Sequence, residues 1–565
     1  MVLKTKMLEK FKFDARQPLF NVQTDIQVKS NILGIDFSYF FHLFIRHFFL
    51  TFLLKILTFR GTFSALFRIF KFSSFFYLML MYWMFLPFQA MAQLKTGISI
   101  SNYAGINSVS LNPSSTSNSK LFADVNLFSG GVFFDNNFLF IHKEDYKLLN
   151  FLKKKPSLPS AEIKGEGLDY STEWKSVDGF VQADVFGPGF SMSMGKHTFG
   201  IFSKVSTITS IDDLPYETAV LAFEGIDYDT LLGTNVVHSE FATAAVSWWE
   251  VGGHYSQILS EKGRNVISFG ANIRKLYAWA GGYAQGNSIN YTLDSDSLQS
   301  ELIYNLDIES LDAAAAFSAP LNYDSIYYPT GVNDFKGSGW AGDIGITFRK
   351  NRFVSDNFRY RRPCEKPYDD YLYKIGLSIM DIGNVIFKKN IQLHEYENIN
   401  TEWLDIESLE YENLNQVISQ ISYELTGDSA STRSSGSFAI GLPAALGFQS
   451  DIQYFPKWYL SALAVIPLRL NDIQIKRPSQ ALISLRYETP TLEFGIPVSL
   501  YNFQAPRIGL YARFNYFTIG TDKLGGFFGL NDFYGLDFYF AIKYHILKGV
   551  CGLKKPAGNC NHLSF

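Results

Sequence analysis

Six charged residues on the polar faces of the C-terminal strand patterns could either pair with one another or line a polar path. Opposite charges that share a narrow interior lose less free energy on burial when they pair. The mixed signs of this set therefore favour a paired network that braces a closed interior, and a polar path is the alternative. The set comprises Arg486, Glu488, Glu493, Arg513, Asp537 and Lys543.

Motifs for other chemistry are missing from the sequence. The chain has no G-x-S-x-G elbow, H-E-x-x-H helix, phosphate-binding loop or Cys/His cluster with metal-ligand spacing. The histidines are scattered, and His254 and His545 lie on polar strand faces, where they are expected to line an interior. We therefore expect no enzyme activity, no cofactor and no metal.

The three cysteines are too few for a disulfide framework. Cys551 and Cys560 lie close together after the last strand pattern, so an oxidising compartment would favour a small disulfide loop between them. Two inert thiols are the alternative.

Alternating strands must position the six charges. In "GLDFYFAIKYHI", Leu536, Phe538 and Phe540 alternate with Asp537 and Tyr539. Similar alternation continues from residue 93 onward with almost no long helical periodicity, which predicts an all-β chain. The polar faces carry Gly, Ser, Asn and Tyr with sparse charges.

The composition indicates which solvent the apolar faces meet. The chain has 565 residues, 16% of them aromatic and only 18% charged, with a formal net charge of -3. Its mean hydropathy of +0.01 is too low for a bundle of membrane helices. These values favour a transmembrane antiparallel β-barrel of about 14 strands in the outer membrane, in contact with its lipid, over a secreted β-sandwich. The near-neutral charge argues against nucleic acid as a partner.

An export signal lies well inside the chain. Basic residues precede an apolar run from Phe75 to Phe88, and Ala90-Met91-Ala92 is a small-x-small cleavage site. We interpret residues 66–92 as a signal peptide and residues 1–65 as a non-native or untranslated extension, with translation starting near Leu66. A genuine upstream membrane helix is the alternative.

Turns and prolines punctuate the mature chain. Two long polar excursions run from Gln285 to Gly337 and from Asn390 to Gly436, and the second contains a predicted short helix, "NLNQVISQISYEL". Counting strands back from the C-terminus places both excursions at the periplasmic end, against the usual rule for barrels, so one strand has been missed or merged. Candidate kinks of the wall are Pro188, Pro443 and Pro497, because proline cannot donate to the sheet ladder.

Several stretches resemble the FadL-type long-chain fatty-acid transporter superfamily. "AGINSVSLNPSS" is similar to the Asn-Pro segment that packs inside those barrels as a hatch, and "VFGPGFSMSMGKHTFGIFSK", "ISFGANIRKLYAWAGGY" and "YKIGLSIMDIGNVIF" resemble an uncharacterised branch. The resemblance implies a hatch at residues 93–119 that turns at Asn112, Pro113 and Ser114, where the family usually has Asn-Pro-Ala. It further implies a barrel over residues 120–549 and a periplasmic tail over residues 550–565.

Two functions follow from that resemblance. The first is a barrel that passes hydrophobic or amphipathic small molecules across the outer membrane. The second is a non-transporting barrel that anchors or assists a partner protein, such as a secretion or assembly complex. Transport requires an apolar internal pocket or an opening in the wall, whereas the accessory role requires neither.

Overall fold

A computed structural model describes most of the chain from residue 95 onward. The described residues are 95–144, 167–298, 301–323, 325–329, 334–354, 370–406, 413–502 and 506–547. The predicted extension (1–65), signal peptide (66–92) and C-terminal tail (550–565) lie outside the described residues, and so do Cys551 and Cys560.

Fourteen strands of the described residues form one closed antiparallel barrel, so the predicted fold is confirmed. Each strand pairs with its neighbour along the chain, and β14 closes the ring on β1 with Ala123 opposite Ile546. Closure leaves the ring without a free sheet edge, which lipid requires. In chain order the wall strands are β1 Ala123–Asn136, β2 Ser176–Met194, β3 His197–Pro215, β4 Phe241–Lys262, β5 Asn265–Leu298, β6 Gly337–Asn351, β7 Tyr371–Phe387, β8 Ala445–Phe455, β9 Trp458–Pro467, β10 Gln480–Glu488, β11 Leu492–Tyr501, β12 Leu510–Phe514, β13 Phe517–Thr521 and β14 Gly535–Ile546.

The outer face of the wall is apolar. Ile483 and Leu485 of β10 are half exposed, at 58% and 50%, while the alternate residues Ser484 and Arg486 are buried inside. On β14, Tyr539 is buried in the lumen and Phe540 faces outward, as the alternation predicts. A closed barrel with an apolar outer belt is the architecture of a protein of the bacterial outer membrane, and this localisation is therefore confirmed.

The two ends of the barrel differ in their connections. At the hatch end, where β1 begins and β14 ends, most turns are tight, including Gly195-Lys196, Gly263-Arg264 and Pro456-Lys457. Both long excursions lie at the opposite, mouth end, because β5 and β7 run towards it. The count back from the C-terminus, which placed both excursions at the periplasmic end, was therefore wrong. The usual asymmetry of outer-membrane barrels places the mouth outside the cell.

The sequence suggested that the excursions were loops, but they contain strands and a helix. The far half of β5 pairs with Glu301–Ser318, which pairs in turn with Ile391–Trp403, so a three-stranded sheet extends beyond the wall. The predicted helix is confirmed as Leu414–Thr426. The remaining helices of the described residues are Thr96–Ser99, Gly105–Ser110, Pro113–Asn118, Tyr216–Glu224, Asp229–Leu231 and Gly525–Phe528. Short strands outside the fourteen of the wall are Leu139–Ile141, Leu168–Tyr170, Asn235–His238, Phe438–Gly441 and Arg507–Ile508.

Pro320–Asp334 and Glu407–Ile418 belong to a separate compact unit, in which Leu321–Asn322 pairs with Ser325–Pro329. Among the described residues, no helix is both long and apolar enough to span a membrane.

Candidate functional site

The hatch lies inside the barrel and turns at Asn112-Pro113. Asn112 is extended, with φ -154° and ψ 110°, as the residue before a proline prefers. Its Oδ1 accepts hydrogen bonds from the backbone N of Ser114 at 3.0 Å and from Ser114 Oγ at 2.7 Å. Pro113 then begins the 3₁₀ helix Pro113–Asn118, where its missing N–H costs nothing. The Asn-Pro-Ser triplet therefore caps and starts the short helix that fills the hatch end of the lumen.

Three wall glycines make room for this turn. A Cβ atom on Gly345 would lie 2.1 Å from Asn112 Oδ1, and one on Gly270 would lie 2.4 Å from the carbonyl carbon of Pro113. A Cβ on Gly376 would lie 2.7 Å from Asn112 Nδ2. These glycines belong to the adjacent strands β5, β6 and β7, so the wall has no side chain at the three positions where the hatch turn packs. We call this surface the seat of the hatch.

Wall side chains satisfy the hatch backbone. Asn272 Nδ2 donates to the carbonyl of Val109 at 3.0 Å, and Ser378 Oγ donates to the carbonyl of Leu111 at 2.7 Å. Lys543 Nζ donates to the carbonyl of Ala104 at 2.6 Å. These polar contacts come from several strands, so the hatch is fixed to the wall without joining its ladder.

Four of the six charges singled out from sequence form one network beside the hatch. Arg486 Nε lies 3.3 Å from Glu488 Oε2, and Arg513 Nε lies 3.1 Å from Glu493 Oε2. Ser101 Oγ of the hatch donates to Glu493 at 2.7 Å. All four charged side chains are buried. This arrangement is the paired alternative of the sequence analysis.

The other two charges of the set lie apart from that network. Lys543, on β14, contacts the hatch carbonyls, and its Nζ lies 3.9 Å from Asp124 Oδ2. Asp537 lies nearer the mouth on the same strand and accepts a hydrogen bond from the backbone N of Asp522.

Two further charged residues, which were not predicted from the sequence, complete this network. Asp451 Oδ2 lies 2.9 Å from Arg486 Nη2, and Lys120 Nζ lies 3.0 Å from Glu488 Oε1. Asp451 stands in β8 next to the exposed Ile452, so its inward position was readable from alternation.

A second charged layer crosses the lumen between the hatch and the mouth. Arg274 Nη2 lies 2.7 Å from Asp343 and 2.9 Å from Asp381, and Arg274 Nη1 lies 3.2 Å from Glu250. Arg477 Nη2 lies 2.7 Å from the other oxygen of Asp381. Removing one partner of such a buried set would cost about 3–5 kcal/mol, because the others would stay charged and buried. We call these five residues the ionic layer.

A small polar cavity lies beside the ionic layer. Its volume is about 50 Å³, and its lining includes Lys95, Asp184, Lys204 and Arg274. The size and lining suit a few water molecules rather than an apolar ligand.

Above the ionic layer lies a cluster of buried apolar side chains, which we call the apolar layer. Its aromatic and large aliphatic members are Phe133, Phe180, Ile208, Trp248, Leu276, Phe387, Phe438, Ile440, Leu442, Ile475 and Tyr501. The rings of Phe387 and Phe438 stack at 4.9 Å, as do those of Phe133 and Tyr501. Trp248 Nε1 donates to Glu250 at 2.9 Å, so one side chain joins the two layers.

The wall ladder is interrupted beside the apolar layer. Phe438–Gly441 pairs with β7 up to Asn384, and β8 resumes only at Ala445, opposite Met380. Pro443 stands in the gap, and on β7 the gap faces Asp381, which has a left-handed φ of 56°. By contrast, Pro188 lies at a bulge within the continuous strand β2, and Pro497 is paired with Ser484 in β11. The described residues include no group of three or more His, Cys, Asp or Glu side chains arranged to hold a metal.

Comparisons with known proteins find one matching family and several solved structures of low similarity. A family model described as "Family of unknown function (DUF5723)" matches residues 113–522. No curated protein matches the chain. The toluene transporter TbuX of Ralstonia pickettii is 10% identical, with 77% of this chain and 92% of that chain covered and a TM-score of 0.33. The toluene transporter TodX of Pseudomonas putida is 10% identical, with 79% and 94% covered and a TM-score of 0.28.

A FadL homologue of Pseudomonas aeruginosa is 9% identical, with 77% of this chain and 92% of that chain covered and a TM-score of 0.19. The barrel itself rests on the closed ring of fourteen strands.

Proposed function

This chain belongs to the DUF5723 family of unknown function, and we propose that it is an outer-membrane barrel that passes small hydrophobic or amphipathic molecules across the membrane. The observation that carries the proposal is the position of the wall gap at Leu442–Ala444. It lies where the apolar layer meets the ionic layer, so a molecule that has entered from the mouth has an apolar route only sideways.

The ionic layer makes the straight route unfavourable. An apolar molecule moving towards the hatch would have to separate Arg274 from its three carboxylate partners in a buried site. The gap requires less disruption, because only Leu442 N of its backbone donates across to β7, to the carbonyl of Gly383 at 3.0 Å. The gap is closed in this structure, with Leu442 and Ala444 both buried. Transport therefore needs the gap to open when a ligand occupies the apolar layer.

Replacing Pro443 with Val tests the route. Valine restores a backbone donor and favours continuous strand, so it should close the gap more firmly. In cells that depend on this barrel, uptake of the hydrophobic dye N-phenyl-1-naphthylamine should fall several-fold, while the amount of folded barrel stays the same. Pro497→Val is the matched control, because Pro497 already lies within a paired strand, and it should leave uptake unchanged.

The outcome also separates transport from an accessory role. If cells with the wild-type barrel take up no more dye than cells that lack it, transport is contradicted and a barrel that serves a partner protein is favoured. Normal uptake by Pro443→Val, together with normal uptake by the control, would reject the route through the wall.

A further inference from the structure

The connection between β9 and β10 crosses the mouth of the barrel inside the wall. On one side, Gly441 N donates to the carbonyl of Ile473 at 2.9 Å, and Ile475 N donates to the carbonyl of Gly441 at 3.1 Å. On the other side, Lys476 N donates to Ser210 Oγ of β3 at 3.1 Å, and Lys476 Nζ pairs with Asp212. We call Leu468–Ser479 the strap, because it spans the lumen between these two parts of the wall.

The strap places two aliphatic side chains in the apolar layer. Ile475 is fully buried there and Ile473 packs against the same cluster. The rest of the segment is mostly polar, and its Leu470 is 51% exposed. The seated isoleucines are therefore the exception in a segment that otherwise suits solvent.

The strap is the part of this layer that can leave at least cost. The aromatic residues of the layer stand on wall strands, whose displacement would break ladder hydrogen bonds that have no substitute in lipid. The strap joins two strands that remain paired, with Val465 opposite Gln480, so its departure leaves the ladder intact. The Lys476 side chain is 57% exposed, and an exposed ion pair holds weakly. The 2.7 Å contact of Arg477 with Asp381 is the stronger tether.

We propose that the apolar layer is a binding site for a small apolar molecule, and that Ile473 and Ile475 of the strap occupy it until the ligand displaces them. The inference rests on the proposed transport function and adds the ligand site and its competitor. The ligand class is a hydrocarbon comparable in volume to the two isoleucine side chains. It needs no hydrogen-bonding group, because Trp248 Nε1 is already bonded to Glu250.

The test weakens the strap without touching the site. Lys476→Gln and Asp212→Asn each remove one partner of the same ion pair, so both should weaken the attachment of the strap and neither changes the apolar layer. The probe is 1-bromohexane, whose bromine quenches an indole ring only at contact. Quenching is measured in liposomes for each protein and for its Trp248→Phe counterpart. The difference between the two is the quenching of Trp248, because the signal of lipid-facing tryptophans cancels.

We expect the concentration for half-maximal quenching to fall about two- to fivefold in either variant, the range for loss of an exposed ion pair. The double variant should show no further fall, because the two changes remove one interaction. Lys388→Gln, an equal charge change at an exposed position of the mouth end, should match the wild type. The same half-maximal concentration in the wild type and in the three strap variants would overturn the proposed competition between strap and ligand.

Failure of the site and failure of the transport function give different results. If Trp248 is never quenched while Pro443→Val still slows dye uptake, the site is wrong and transport stands. If the strap variants shift the quenching while no cells take up dye through the barrel, the site stands and transport is wrong.

Discussion

At the scale of single residues, the wall tolerates charge according to depth and face. Phe540 lies at the middle of β14 on the lipid face, so Phe540→Arg should cost about 2–4 kcal/mol of folding free energy, and Ile546→Arg at the strand's end about 0–1 kcal/mol. The fraction that migrates as folded barrel in unboiled gel samples measures both. Equal losses would mean that β14 has a different depth.

The inward neighbour of Phe540 carries a constraint that alternation did not reveal. The alternation of β14 predicts that Tyr539 faces a polar interior, where arginine would be tolerated better than at Phe540. The face is right, but Tyr539 is completely buried, and its hydroxyl accepts from Gly97 N and donates to Asp522, each at 3.0 Å. Arginine at this position would displace the hatch, so the contrast between the two faces becomes smaller than the sequence implied.

At the scale of elements, the seat of the hatch depends on the wall glycines. Gly345→Ala should push Asn112 from its place, because the new Cβ would lie 2.1 Å from Asn112 Oδ1. Gly253→Ala is the control, since a Cβ there would meet nothing within 4 Å. We expect a protease added inside reconstituted vesicles to cut the hatch faster only in Gly345→Ala, and equal cutting would contradict the seat.

The elements could be predicted wherever lipid imposes a pattern. In β10, β11 and β14 every second side chain meets lipid, so alternation alone gave the faces of Arg486, Glu493 and Tyr539. Beyond the mouth this constraint ends, and the far half of β5 was therefore taken for a loop although it is strand. The ionic layer was missed for another reason. Asp343 and Asp381 lie on the neighbouring strands β6 and β7, but a single sequence has no local signal for the register that brings them together or for the strap that brings Arg477 to Asp381.

At the scale of the whole molecule, the lumen has three successive closures. The hatch fills one end, the ionic layer crosses the lumen above it, and the apolar layer with its strap fills the mouth. If the hatch were the one obstruction, removing residues 93–119 would be expected to open the barrel partly. The layered arrangement changes that expectation, because the ionic and apolar layers remain when the hatch is gone.

Deletion of the hatch by itself should therefore leave conductance across a planar bilayer near zero. It should also lower the thermal stability, since Glu488 would lose its hydrogen bonds from the backbone N and the Nδ2 of Asn102. Replacing Asn471–Arg477 of the strap with a flexible linker of equal length should also leave conductance near zero, because the hatch would still fill the lumen. The two changes together should give measurable ion conductance, limited by the side chains of the ionic layer. High conductance after hatch deletion alone would show that the layers above do not seal the barrel, whereas a closed double variant would show that the wall side chains seal it without help from either segment.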